Sequence, residues 1–231
     1  LDAFLDAAEQ AGIPRTDDFN RGTNEGGGYF DVNQRSGWRW NTAKAFLRPV
    51  ASRPNLRVVT GAQARRLIVE GGEVRGVSYV QGGFLREARA RAETVLAAGA
   101  IGSPHLLELS GIGDPETLQA AGIAPVAEAR GVGANLQDHH EVPVIAATRG
   151  PSGYFGQDKG WRMLRNGIEY FLFNTGPVTT TGIESCLFYD PDGGARPTIQ
   201  LYCCPIVYLD RDVSSARPTH GVTLTDRKSV V

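Results

Sequence analysis

The sequence predicts an α/β fold in which an antiparallel β-meander is joined to a second part of the α+β type. In the first part, hydrophobic residues between 55 and 98 alternate with a period of two, which indicates strands. Glycine-containing turns at 70–73 and 81–83 separate these strands, and such short connections are typical of antiparallel pairs. Segments with helical periodicity and capping residues flank the meander on both sides.

The first fifty residues contain two predicted helices and a glycine-rich stretch. An amphipathic helix over 1–11 ends at Gly12, and a short helix over 41–48 begins with Asn41 as its N-cap. Between them, the glycines at 26–28 permit either a flexible loop or a place where the backbone approaches a ligand closely. The sequence does not decide between these two interpretations.

The meander is predicted to contain five strands. They cover residues 56–60, 64–69, 74–80, 85–90 and 94–97. The last strand is almost entirely apolar, so we expect it in the buried middle of a sheet.

Two short helices are predicted after the meander. In the first, over 103–109, Ser103 is the expected N-cap and Pro104 occupies the first helical position. In the second, Asp114 caps, Pro115 opens the helix and Gly122 closes it.

The pattern changes after Gln137, and we place a domain change near 138–143. The later part is predicted to contain strands over 142–148, 185–189, 198–203 and 221–225, with one longer helix between the first two. Trp161, Leu164, Ile168 and Phe171 are expected to form the buried stripe of that helix, which ends near 176–177. We also expect Phe173 in the core rather than in a ligand-binding box.

Composition excludes several classes of function. The 231 residues carry a net charge of -1, which argues against nucleic acid and anionic membrane as partners. No apolar run approaches the roughly 20 residues that span a bilayer. Three cysteines, two of them adjacent, do not form a disulfide framework, which suits a cytoplasmic protein. Cys203 and Cys204, in an apolar strand, are predicted to be buried, inert thiols. A targeting segment could still precede these residues.

Residues 97–103 are the candidate binding segment. Ala97, Ala98 and Gly99 end a predicted strand with side chains too small to keep a planar ring or a phosphate away. The amides at the start of the Ser103 helix add hydrogen-bond donors and the positive end of a helix dipole. A strand, glycine turn and helix N-terminus are typical of dinucleotide sites, but also of tightly packed proteins that bind nothing.

Residues 99–113, with the sequence G-A-I-G-S-P-H-L-L-E-L-S-G-I-G, are the most specific motif of the chain, and G-V-G-A-N-L-Q-D-H follows at 131–139. This combination resembles the second signature of the glucose–methanol–choline (GMC) family of flavin-dependent oxidoreductases. Segments 39–47 and 55–64 also resemble that family. Segments 176–184 and 197–200 are similar to its choline-dehydrogenase-like branch.

The resemblance implies the cofactor FAD and a division of labour along the chain. Residues 1–140 would form part of a Rossmann-like FAD-binding domain, and residues 141–225 part of the substrate-binding domain. Ala64 matches the position whose backbone pairs with adenine, so the implied cofactor contacts are Ala64, Ala97, Ala98, Gly99 and Ser103. The family's G-x-G-x-x-G loop and its catalytic histidine pair have no match in this sequence. We therefore name no catalytic residue and expect the chain to be an internal fragment.

The implied reaction is hydride transfer from a small-molecule alcohol to flavin N5, with a histidine outside this sequence as general base. The sequence predicts neither the particular alcohol nor the electron acceptor or oligomeric state. Two alternatives stay open. One is a redox-silent lyase on the same fold, and the other is a truncated flavin-binding module without catalysis.

Two further features invite interpretation. His139 and His140 beside Asp138 are expected to make structural hydrogen bonds, since adjacent histidines rarely reach one metal ion; no metal site is predicted. Ser103, Asp138 and His139 are not expected to form a hydrolytic triad, because Ser103 lacks the sequence context of a nucleophilic serine.

Residues 226–231 depart from the family pattern. The string GAT CGG AAG AGC GTC GTG, a sequencing-adaptor sequence, encodes these six residues, so we expect a non-native tail.

Overall fold

The computed structural model describes residues 1–138, 141–194, 196–207 and 219–228, and it has a mixed α/β architecture. The α-helices are α1 (Asp2–Gln10), α2 (Gly99–Leu109), α3 (Pro115–Ala120) and α4 (Gly160–Phe173). The predicted helix 41–48 is a π-helix over Ala43–Leu47 followed by a 3₁₀ turn over Arg48–Val50, and another 3₁₀ turn covers Pro177–Thr179. The first strands are β1 (Gly26–Tyr29), β2 (Gln34–Arg35), β3 (Trp38–Arg39), β4 (Ala62–Glu70), β5 (Glu73–Gln81) and β6 (Phe84–Arg89). The remaining strands are β7 (Ile112–Gly113), β8 (Ala127–Glu128), β9 (Glu141–Ala147), β10 (Ser185–Tyr189), β11 (Ile199–Cys204) and β12 (Gly221–Lys228). Of the predicted tail 226–231, the first three residues belong to β12, and residues 229–231 lie outside the described residues.

The chain packs as two compact units. One unit contains Leu1–Val50 together with His139–Val231, and the other contains Ala51–Asp138. These packing units differ from the parts predicted from the sequence, 1–140 and 141–225, because the first fifty residues pack with the second half of the chain. The roles predicted for those two parts stay predictions.

The first unit is built on a five-stranded antiparallel sheet in the order β1-β10-β11-β12-β9. Its strands come from distant parts of the sequence, so the sheet forms only through long-range pairing. The core includes Leu5 and Ala8 on α1 and the buried side chains of Cys186, Leu187 and Tyr202. Helix α1 packs against β1 and β10 and thereby covers one end of the sheet.

The glycines at 26–28 form strand β1, which pairs with β10. A β-carbon at Gly28 would lie 2.4 Å from the backbone oxygen of Thr16. The stretch is therefore a strand and not a flexible loop, and the backbone that lies close to it is the protein's own; the second interpretation, close approach to a ligand, stays a prediction.

Helix α4 was predicted correctly, but its orientation was not. Trp161 and Phe171 are each 73% exposed and Phe173 is 67% exposed, so the expectation of buried core aromatics is wrong. The buried residue of α4 is Asn166, whose amide donates to the backbone oxygen and to Oε1 of Gln157. Helical periodicity identifies an apolar stripe, but the packing of the other elements decides which side is covered.

The second unit contains the antiparallel meander β4-β5-β6, which confirms three of the five predicted strands. The segments 56–60 and 94–97 are not strands. Val58 is 54% and Val95 is 78% exposed, so the expected burial of the last strand is also wrong. An extended apolar segment becomes a strand only beside a hydrogen-bonding neighbour, and none of the described strands pairs with either segment.

Candidate functional site

The N-terminus of α2 carries most of the predicted cofactor contacts. The helix begins at Gly99, one turn earlier than predicted, so Ser103 is not its N-cap. Instead the Oγ of Ser103 accepts a hydrogen bond of 3.0 Å from the backbone N–H of Ala98 and so holds the turn that enters the helix. Gly99 has a φ of 84°, a left-handed conformation that favours glycine at this turn.

The C-terminus of α2 is fastened to the meander by Ser110, which is buried. Its hydroxyl accepts a hydrogen bond of 2.8 Å from the N–H of Leu67 on β4 and donates one of 2.5 Å to the backbone oxygen of Leu106. Gly111 follows with a φ of 81°, and a β-carbon there would lie 2.6 Å from the oxygen of Ala124. The Ser-Gly pair of the motif therefore positions α2 on β4, a role that the sequence analysis missed.

A first cleft of about 700 Å³ lies between the meander and α2. Ala64, Ala98 and Gly102 line it, and their small side chains keep the cleft open. Ala64 lies where the pairing of β4 with β5 shifts register, between Ala64 and Arg66. The structure thus brings together two residues, Ala64 and Ala98, that are separated by more than thirty positions in the sequence.

A second cleft of about 450 Å³ lies along α2 within the same unit. Ser103 lines it, together with residues of the segment 131–136. Ala97 and Gly99 are exposed and line neither cleft. Of the five predicted cofactor contacts, the structure therefore groups two on one cleft, places one on the neighbouring cleft and leaves two at the surface. Their predicted role stays a prediction.

The charges around the first cleft are positive. Arg65 and Arg66 are among its lining residues, and the lining includes no aspartate or glutamate. Such a wall suits an anionic ligand.

Among the described residues, no three His, Cys, Asp or Glu side chains are placed to hold a metal ion. His139 and His140 lie outside the described residues, so the expectations about them, including the rejected triad, stay untested.

The three cysteines lie in the five-stranded sheet and are free and buried, as predicted for Cys203 and Cys204. Burial raises the pKa of Cys186 to about 12 and, as the largest cause, that of Cys204 to about 11. These thiols stay protonated near neutral pH and are poor nucleophiles. In the described part of the chain, no helix combines the length and the apolar character needed to cross a membrane.

A third cavity, of about 670 Å³, lies in the other unit and was not predicted. It lies between the β2–β3 hairpin and the segment from Tyr170 to Thr181. The signal that could have pointed to it is the run of basic and aromatic residues at 35–44.

The motif, the meander and the clefts define a class of protein: the chain belongs to the GMC oxidoreductase family, whose family model matches residues 1–141. Its similarity to choline dehydrogenases supports the predicted branch. It is 38% identical over 220 residues to the oxygen-dependent choline dehydrogenase of Brucella suis biovar 1 (strain 1330), which covers 95% of this chain and 40% of the relative. It is 40% identical over 209 residues to the mitochondrial choline dehydrogenase of Mus musculus, covering 90% of this chain and 35% of that protein. The chain thus spans about two fifths of the length of these relatives.

Solved structures agree with this assignment. Pyridoxine 4-oxidase from Mesorbium loti superposes with a TM-score of 0.81 at 28% identity, covering 98% of this chain and 41% of that one. A formate oxidase superposes with a TM-score of 0.81 at 22% identity, covering 98% of this chain and 44% of its own, which supports the fold alone.

Proposed function

We propose that this chain is part of an FAD-dependent oxidoreductase that removes hydride from the CH–OH group of a small alcohol. The observation that carries the proposal is the identity of 38–40% to choline dehydrogenases over at least 90% of the chain. The name of a further relative supports the substrate class, since pyridoxine is an alcohol.

The residues present fit the adenine end of such a cofactor. The first cleft is open, its wall at Ala64 and Ala98 has only β-carbons, and Arg65 and Arg66 supply positive charge. A dinucleotide carries planar rings and a pyrophosphate, which need flat apolar contacts and positive charge respectively. When bound, the flavin would accept the hydride of the alcohol.

The chain's own residues would bind and orient rather than react. The backbone of Ala64, at the register shift of β4, would pair with adenine. Ser103 fixes Ala98 through its hydrogen bond, and the left-handed Gly99 begins α2, which forms one wall of the cleft. We assign no proton transfer to a residue of this chain, because no described side chain matches the family's catalytic histidine pair.

The test uses the protein expressed from its complete gene. We expect it to purify with a flavin absorbance spectrum that bleaches anaerobically when an oxidisable alcohol is added, with choline tried first. Ala98→Leu should lower the bound flavin per protein, because it fills the first cleft. Ala92→Leu, at an exposed position outside the cleft, is the matched control and should not.

Three other outcomes separate the alternatives. Flavin that stays oxidised while a carbonyl product forms by bond cleavage would indicate a lyase on the same fold. Flavin that is bound but never turned over by any substrate would indicate a non-catalytic module. A protein with no flavin at all would refute the cofactor assignment.

A further inference from the structure

The segment 32–50 concentrates positive charge. It contains Arg35, Arg39, Lys44 and Arg48 and has no aspartate or glutamate, although the whole chain has 24 basic and 25 acidic residues. None of these four cations forms an ion pair within the described parts of the chain. The segment therefore carries a local excess of positive charge, although Asp31 adjoins it and Glu184 accepts a hydrogen bond from Thr181 on the opposite wall of the third cavity.

The third cavity opens at this segment. Its wall combines one cation with amide and hydroxyl groups and includes no carboxylate. The polar lining residues are Asn33, Gln34, Arg39, Asn41, Thr42 and Tyr170, with Thr179 to Thr181 opposite. A cavity with this lining favours an anionic ligand over a cationic one.

The hydrogen bonds of the wall leave several donors available. Oδ1 of Asn41 already accepts from the backbone N–H of Lys44 at 3.0 Å. Oγ1 of Thr180 accepts from the N–H of Gly182 at 3.0 Å and is also bonded to the Tyr154 hydroxyl. The guanidinium of Arg39 and the amide nitrogen of Asn41, by contrast, have no acceptor among the described residues. These unused donors can be satisfied by an oxyanion.

The walls of the cavity are held in place by side-chain bonds across it. The indole N–H of Trp38 donates to Oδ1 of Asn174 at 2.7 Å, and the amide of Gln34 donates to the backbone oxygen of Thr179. Gly37 packs so closely that a β-carbon would lie 2.5 Å from the oxygen of Asn174. The hairpin therefore presents Arg39 from a fixed frame, which lowers the entropy lost on binding.

Two further cations stand beside Arg39. The guanidinium of Arg35 and the ammonium of Lys44 lie 5.2 and 5.7 Å from the ring centroid of Trp40. Cation–π contacts of this kind fix the position of a charge without neutralising it. Both cations thus add to the positive potential next to the cavity.

We propose that this cavity binds the oxyanion group of a small molecule, a phosphate or a carboxylate, with Arg39 as the bidentate anchor. The planar guanidinium matches two oxygens of such a group. Asn41 supplies a neutral donor from the same wall, and Arg35 and Lys44 contribute long-range attraction. The site lies in the unit formed by 1–50 and 139–231, whereas the predicted FAD contacts lie in the unit 51–138.

The test is equilibrium dialysis of radiolabelled inorganic phosphate against the flavin-loaded protein expressed from its complete gene, with succinate as competitor. We expect saturable binding that weakens with added sodium chloride. Displacement by succinate would show a general oxyanion site, and resistance to succinate would show a site for phosphate; both support the proposal. Absence of saturable binding of either anion would overturn it.

Variants connect the binding to the cavity. Arg39→Gln should weaken phosphate binding about tenfold, because it removes a charged bidentate contact. Arg39→Lys should retain part of the affinity, since the charge remains without the fork. Arg149→Gln is the matched control: it neutralises an exposed arginine of the same unit that does not line the cavity.

The flavin content and the circular dichroism melting curve of each variant are measured in parallel. Loss of binding in Arg39→Gln with unchanged melting and flavin content supports the site. Equal affinity in the Arg39→Gln variant and the parent protein, or an equal loss in Arg149→Gln, would place phosphate elsewhere and overturn the proposal. Flavin content is measured separately from phosphate binding. A failure of the proposed oxyanion site can therefore be told apart from a failure of the proposed oxidoreductase function, on which the use of the flavin-loaded protein rests.

Discussion

The five-stranded sheet and the three-stranded meander use the same antiparallel pairing but differ in burial. In the sheet, Cys186 is completely buried and Tyr202 is 6% exposed, so its central strands lie inside a core. In the meander, every residue of β6 is exposed, and Leu67 is the buried residue of β4. A continuous hydrogen-bond ladder therefore does not by itself make a core.

The difference follows from how each region is connected. The meander strands are neighbours in sequence and pair through tight turns, so their loop-closure entropy is small. The sheet joins strands from residues 26 to 228 and is covered by α1 at one end, so pairing and burial occur together. Strands can form from local contacts, whereas a core requires elements from distant parts of the chain.

The largest expected contrast is in thiol labelling. The three native cysteines all lie in the buried sheet, so a thiol reagent should modify them roughly 10³-fold more slowly in the folded than in the unfolded chain. A cysteine introduced at the exposed Ala88 of β6 should react at close to the unfolded rate. Stopped-flow absorbance with an aromatic disulfide reagent gives both rates. Rapid labelling of the native thiols in the parent protein would show that the reagent reaches them and that the core of the sheet is not buried.

The same thiols make stability depend on alkaline pH. Burial raises the pKa of Cys186 to about 12, from an ordinary value of 9.0. A raised folded-state pKa means that the native state holds its proton when the unfolded state has released it. The contribution to the free energy of unfolding is therefore complete below pH 9 and declines as the pH rises towards 12. Cys186→Ala should flatten that decline in urea titrations, and an unchanged slope would contradict the assignment.

The next largest expected effect is the loss of free energy of unfolding when a large side chain is truncated in each sheet. Leu187→Ala in β10 should destabilise by about 2–5 kcal/mol, since Leu187 is 4% exposed. Leu85→Ala in β6 should change stability by less than about 0.5 kcal/mol, since Leu85 is 70% exposed. Urea denaturation followed by tryptophan fluorescence compares the two variants. Equal losses would show that the meander has a buried face of its own.

A pair of serines sharpens the contrast within the second unit. Ser110→Ala leaves the buried N–H of Leu67 without its acceptor and should cost about 1–3 kcal/mol. Ser78→Ala removes a hydroxyl that donates to the backbone oxygen of Arg66 at 3.2 Å in an exposed setting, and should cost clearly less. Amide hydrogen exchange at Leu67 should also accelerate in Ser110→Ala alone. If it does not, Ser110 is not the acceptor that protects this amide.

The smallest expected effect concerns the N-cap of α3. Hydrogen bonding from the backbone N–H of Thr117 is the main reason that the pKa of Asp114 lies below its ordinary value. A depressed folded-state pKa gives stabilisation that is present above the unfolded pKa and lost as the pH falls through the folded value. Asp114→Ala should lower the melting temperature slightly at neutral pH and remove this acid dependence. Asp114→Asn should retain the cap at all pH values.

The same division between local and long-range contacts explains which predictions succeeded. Asp114, Pro115 and Gly122 bound α3 as predicted, because caps act within one turn of the helix. Ser103 has the residue type of an N-cap but lies inside α2, since the left-handed Gly99 lets the helix begin earlier. Family membership was also readable from the sequence, because the motif at 99–113 is written in consecutive positions and lies within the residues 1–141 that the family model matches.

The cavity at Arg39 illustrates what the sequence could not show. Its two walls, 32–42 and 170–181, are separated by more than a hundred residues, and neither has a recognisable motif spacing. The same holds for Ala64 and Ala98, which meet on one cleft only because α2 packs against β4.

By itself, the sequence determined the three paired strands of the meander, the ends of α3, the existence of α4 and the family of the protein. These depend on hydrogen bonds, turns and caps that close over a few residues, or on a motif written in consecutive positions. The tertiary structure alone decided that the apolar stripe of α4 is exposed, that 56–60 and 94–97 stay unpaired, and that an arginine-lined cavity exists. Burial and cavities arise from the packing of distant elements, and periodicity along one element carries no information about what covers it.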